Sequence, residues 1–100
     1  MFDGKADGEI TLLARALLSL ETEEEARALL SDLCTIKEIQ ALAQRIEVAS
    51  LLKGQMKYNE IAAKTGASTA TISRVNRSLN YGAGGYQLAL RRLNEGKDEE

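Results

Sequence analysis

Residues 58–77 read YNEIAAKTGASTATISRVNR, and the spacing inside this stretch decides the fold. Ile61, Ala62 and Thr65 fall on one face of a short helix. Gly66 follows Ala62 by four residues, where a tight turn needs a positive φ. Ser68 suits the cap of a second helix. Ile72 and Val75, three apart, anchor that helix against the first. Ala62 has to be small because the two helices cross closely there. A small residue, a turn glycine four later, and branched apolar residues ten and thirteen later make the helix-turn-helix spacing.

The same spacing predicts an outward face. Ser68, Thr69, Ala70 and Ser73 project from the start of the second helix, and Thr71 joins them as a candidate for site preference. Short hydroxyl and methyl side chains suit close approach to a DNA groove, through direct hydrogen bonds, thymine-methyl contact or bridging water. Lys57, Lys64, Arg74 and Arg77 are placed for contact with phosphate or a ligand. The whole chain carries a net charge of −2, which is unpromising for a nucleic-acid binder. Its distribution reverses that impression. Residues 1–52 hold five basic and ten acidic groups, residues 53–92 hold seven basic and one acidic, and residues 93–100 hold one basic and four acidic. Only the contacting face has to neutralise phosphates. A solvated basic helix face fits the charge count as well, so the motif spacing decides between them.

Outward from the motif, the chain reads as helical throughout. Its 100 residues contain no proline, and the core has to come from Leu, Ile, Val and Ala because only Phe2, Tyr58, Tyr81 and Tyr86 are aromatic. Residues 1–8 read as a flexible arm and residues 9–93 as the helical domain, with Ile10, Leu13, Leu17 and Leu20 at helical spacing. Thr22 with Glu25, and Thr35 with Glu38, form two capping boxes. The second opens the longest helix, about Ile36 to Lys53, which Gly54 stops. Shorter helices fit about Lys57–Thr65 and Thr69–Asn80, then a glycine-rich break at 82–85, then a last helix from about Tyr86 to Leu93. The acidic tail at 94–100 reads as disordered.

Composition excludes several classes. With no histidine, His-based zinc sites and His general bases are ruled out. No paired carboxylates in an apolar setting and no metal-ligand spacing suggest an enzyme. The single cysteine, Cys34, suits a reducing compartment and reads as a small buried apolar residue. The N-terminus lacks a basic region followed by an apolar stretch, and no run of about 18 apolar residues occurs. A cytoplasmic location without membrane contact is therefore expected. A chain of this size buries only about 60–70% of its unfolded surface, so a partner subunit would help it.

The run LCTIKEIQALAQRIEVASLLKGQMKYNEIAAKTGASTATISRVNRSLNYG, within Leu33 to Leu93, resembles the Trp repressor superfamily, and more specifically its YerC/YecD-type branch. The resemblance implies an all-α, six-helix fold and an intertwined homodimer that spaces two helix-turn-helix motifs about one DNA turn apart, on a roughly palindromic site of double-stranded DNA. It also implies a corepressor pocket. In the Trp repressor itself two arginines sandwich the tryptophan indole, and they match Arg45 and Arg74 here. Thr35, Val48 and Ser78 match other pocket residues. The glycine beside the second arginine is Val75, an apolar residue from the partner chain is Asp32, and its neighbouring leucine is Cys34. These departures imply a small effector other than tryptophan. The reading is a dimeric transcriptional repressor without a resident cofactor. Its alternative is a helical interaction or adaptor module without specific DNA binding, built on the acidic first half.

Overall fold

The computed structural model describes residues 3–99. Among them are six helices and no strand: α1 (Gly4–Leu18), α2 (Glu23–Leu33), α3 (Ile36–Lys53), α4 (Tyr58–Thr65), α5 (Thr69–Tyr81) and α6 (Gly85–Glu99). This is the expected all-α architecture. No helix among the described residues is long and apolar enough to cross a membrane.

Local chemistry sets most of the helix ends. The Asp3 carboxylate caps α1 by accepting from the Ala6 N–H at 2.9 Å. That cap starts the helix at Gly4, inside the stretch expected as an arm at 1–8, of which Met1 and Phe2 lie outside the described residues. The Thr22 hydroxyl accepts from the Glu25 N–H at 3.1 Å and opens α2. Glu25 completes the exchange one residue further out than a strict capping box, accepting from the Glu21 N–H at 2.9 Å. At α3 the box is reciprocal: Thr35 Oγ1 accepts from the Glu38 N–H at 3.1 Å, and Glu38 Oε1 accepts from the Thr35 N–H at 2.8 Å.

The end of α3 differs from expectation by one residue. The Met56 N–H donates to the Leu51 carbonyl at 3.1 Å and the Gln55 N–H to the Leu52 carbonyl at 2.9 Å, a Schellman pairing. Gln55 takes the left-handed position, with φ 65°, while Gly54 sits one place before it. The stop expected at Gly54 is therefore made by a non-glycine residue.

At the other terminus, α6 continues to Glu99, past the expected end at Leu93 and through most of the stretch expected as a disordered acidic tail. Opposite charges one turn apart favour this, with Arg91 Nε 3.7 Å from Glu95 Oε1. Glu100 lies outside the described residues.

The chain divides into two compact units, Met1–Ile39 and Gln40–Glu100. The second owns the core: Val48, Ala49, Ile61, Ala67, Ile72, Val75, Leu79 and Leu90 are buried, with Leu51, Leu52, Met56, Ala62 and Tyr86 packed against them. In the first unit no residue of α1 or α2 is buried. Leu12 is 72% exposed, Leu18 84% and Ile36 74%. Cys34 caps the end of α2 and is half-buried.

Candidate nucleic-acid interface

The α4–α5 corner is fixed by its own backbone and by Gln44, and Gln87 ties down the far end of α5. Ile61 and Ile72 are fully buried and Val75 is nearly so, as the spacing predicted. Gly66 ends α4 at φ 75°, and its N–H donates to the Ala62 carbonyl at 2.9 Å. Thr65 threads the turn: its hydroxyl donates to the Ile61 carbonyl at 2.8 Å and accepts from the Ala67 N–H at 3.1 Å. Gln44 on α3 donates to the Thr65 carbonyl at 3.2 Å, and Gln87 on α6 donates to the Leu79 carbonyl at 3.0 Å. Each supplies a donor to a helix-terminal carbonyl that would otherwise lack one.

Ser68 caps α5, accepting from the Thr71 N–H at 3.1 Å. Its hydroxyl also donates to Thr71 Oγ1 at 3.1 Å, so the capping role engages it twice. Thr69, Ala70 and Ser73 are exposed along the first turns of α5, and Lys57, Lys64, Arg74 and Arg77 are exposed on the same corner or along α5. The ion pairs among the described residues are Arg27–Glu23 and Arg91–Glu95, and neither involves a cation of this corner. Thr71, the other candidate for site preference, is less exposed than these. It is half-buried and lines a cleft beside α5.

That cleft, about 340 Å³, is lined by Arg45, Thr71, Arg74, Val75, Ser78 and Tyr86. It brings together three of the five pocket residues that the resemblance implied: Arg45, Arg74 and Ser78. Val48 is not at its surface, because it is fully buried in the core. Thr35 belongs to the first unit, where it caps α3. Val75, which stands in place of the glycine, lines the wall. A second cleft of about 450 Å³ adjoins it through the shared residues Ser78 and Tyr86, and adds Ile46, Gly82, Ala83 and Gly85. Tyr86 escaped the sequence reading. A lone aromatic after a glycine run carries no periodic signal, and only the path of the α5–α6 loop brings it to both clefts.

The profile of the family described as Trp repressor protein matches residues 8–94. The chain belongs to the Trp repressor family. It is 52% identical over 91 residues to the uncharacterized protein YerC of Bacillus subtilis, covering 91% of this chain and 88% of that one. Among solved structures, a TrpR-like protein from Eubacterium eligens matches with a TM-score of 0.83 and 53% identity, over 87% of this chain and 90% of that one. A Trp repressor candidate from Staphylococcus aureus matches at 46% identity with the same TM-score, over 87% of each chain. Membership of the family rests on most of the chain, not on the α4–α5 corner alone.

Proposed function

We propose that this chain is a sequence-specific DNA-binding transcriptional regulator, acting as a homodimeric repressor on a roughly palindromic duplex. The observation that carries the reading is the α4–α5 corner. Thr69, Ala70 and Ser73 stand exposed at the start of α5, and Lys57, Lys64 and Arg77 flank them without carboxylate partners among the described residues. Short polar side chains at a helix start suit base edges in a major groove, and the surrounding cations suit phosphates. Ser68 acts through the cap, fixing the direction of α5. Membership of the Trp repressor family supports a regulator rather than an enzyme.

The dimer is supported by the first unit. Its helices leave Ile10, Leu12, Leu13, Leu17, Leu18 and Leu33 exposed, and apolar surface left in water costs about 25 cal/mol per Å². A second copy of the same helices is the simplest cover, and two-fold symmetry then gives two recognition helices. The Arg45–Arg74 cleft is the place for a small effector other than tryptophan, since Val75 lines it where the Trp repressor has a glycine.

The decisive experiment selects bound sequences from random duplex DNA with the purified full chain, then titrates the selected duplex at several salt concentrations. The expected result is a single enriched motif with two-fold symmetry and affinity that falls steeply with salt. No enrichment, with no salt-sensitive binding at low ionic strength, would return the chain to the adaptor reading.

A further inference from the structure

Side chains from the neighbouring helices hold α5 at both ends. On the reading side, half-buried Gln44 of α3 donates through Nε2 to the Thr65 carbonyl at 3.2 Å. Thr65 passes that hold to the start of α5. Its hydroxyl donates to the Ile61 carbonyl at 2.8 Å and accepts from the N–H of buried Ala67 at 3.1 Å, and Ser68, the next residue, caps the helix. At the far end, Gln87 of α6 donates through Nε2 to the Leu79 carbonyl at 3.0 Å. We propose that Gln44 and Gln87 are positioning residues, which together set the direction of α5 and so decide how well its first turns read base edges. This proposal rests on the DNA-binding reading and deepens it.

Packing alone leaves that direction loose. Ile72, Val75 and Leu79 hold α5 to the core through apolar contact, which is not directional. A hydrogen bond is directional: N–H···O distances stay within about 2.7–3.2 Å, and the bond weakens steeply off line. The length of the helix makes the difference matter. Leu79 lies ten residues past Thr69, about 15 Å along the axis, so a tilt of about 10° at one end moves the other by about 2.6 Å. A displacement of that size breaks any hydrogen bond from Thr69 or Ser73 to a base. Both glutamines meet carbonyls in the last turn of a helix, Thr65 of α4 and Leu79 of α5, so neither bond competes with the helix ladder. Both are also uncharged. Removing their amides leaves Lys57, Lys64 and Arg77 in place, which separates orientation from attraction to phosphates.

The test uses the full chain as Gln44→Met, as Gln87→Met and as the double variant, since methionine keeps the side-chain length and removes the amide. Affinity is measured for the duplex that the wild type selects from random DNA and for a scrambled duplex of equal length. The temperature is one at which circular dichroism shows each variant fully folded. The double variant is expected to lose at least tenfold on the selected duplex and to change less than twofold on the scrambled one, with each single variant in between. Residual dipolar couplings of the α5 amides, taken relative to those of residues 40–53, should shrink in the double variant. If the double variant does not fold, the two single variants carry the same comparison. A role in stability alone would lower the melting midpoint and leave the ratio of the two affinities at its wild-type value. That ratio in a folded variant, or unchanged α5 couplings, overturns the proposal and leaves the regulator reading standing. If the wild type enriches no sequence at all, the regulator reading fails and this proposal fails with it.

Discussion

Gly66 and Gly82 both follow the last residue of a helix, yet they resist substitution for different reasons. Gly66 sits at φ 75°, where a Cβ meets no neighbour and the cost is conformational. Gly66→Ala should destabilise the chain by about 1–2 kcal/mol in urea denaturation. Gly82 has a negative φ, but a Cβ there would overlap the Ser78 carbonyl oxygen. The obstacle is backbone, so it cannot swing aside as a side chain would. Gly82→Ala should cost about 2–3 kcal/mol, which the same measurement compares directly. Glu38 offers a pH test at the same scale. Hydrogen bonds from the Thr35 backbone and side chain hold its carboxyl below the ordinary glutamate value, with a slight opposing effect of burial. A depressed folded value means that the contribution is present above the unfolded value of about 4.3 and is lost as pH falls through the folded one. Glu38→Gln should therefore leave a shallower decline of helicity between neutral pH and the acid range, read by circular dichroism.

Among the elements, α3 was the most legible. Its capping box and its final lysine bracket it, and Ile36–Lys53 is the observed span. The α4–α5 corner was nearly as clear, because the constraint on Ala62, Gly66, Ile72 and Val75 is local and steric. The termini of the fold were obscured by charge. A run of acids looks like disorder in composition, while on a helix Arg91 and Glu95 meet one turn apart. Side-chain direction around α5 was partly legible. Thr71 has a hydroxyl like its neighbours, but its N–H and Oγ1 both bond to Ser68, and it turns to the cleft rather than outward. The clefts themselves depend on where the α5–α6 loop carries Tyr86, which no short-range pattern encodes. Two predictions belong to these elements. Lys64→Ala and Arg77→Ala should each weaken DNA binding across all sequences and lower the salt slope by about one, measured by fluorescence anisotropy. Gln44→Ala should remove the donor to the Thr65 carbonyl and lower stability by about 1 kcal/mol, with α4 amides exchanging faster.

At the scale of the whole molecule, burial is unevenly shared between the two units. The buried residues lie in the second, while α1 and α2 in the first bury no residue fully and leave Leu12, Leu13, Leu17 and Leu33 exposed. If a second copy covers them, the unfolding midpoint should rise with protein concentration. Leu17→Lys, at a residue 49% exposed in the single chain, should then yield a monomer in analytical ultracentrifugation. A variant that stays dimeric and unfolds at an unchanged midpoint would place the interface elsewhere.

The left-handed Gln55 at the end of α3 carries a consequence for heat tolerance. An L-residue in that conformation costs roughly 1–2 kcal/mol, and glycine would avoid the strain while giving back part of the gain through the freedom of the unfolded chain. Gln55→Gly should net a gain of up to about 1 kcal/mol, enough to raise the melting temperature of a domain this size by several degrees. The chain thus melts below the temperature its own topology permits, and one exposed turn residue sets part of that gap.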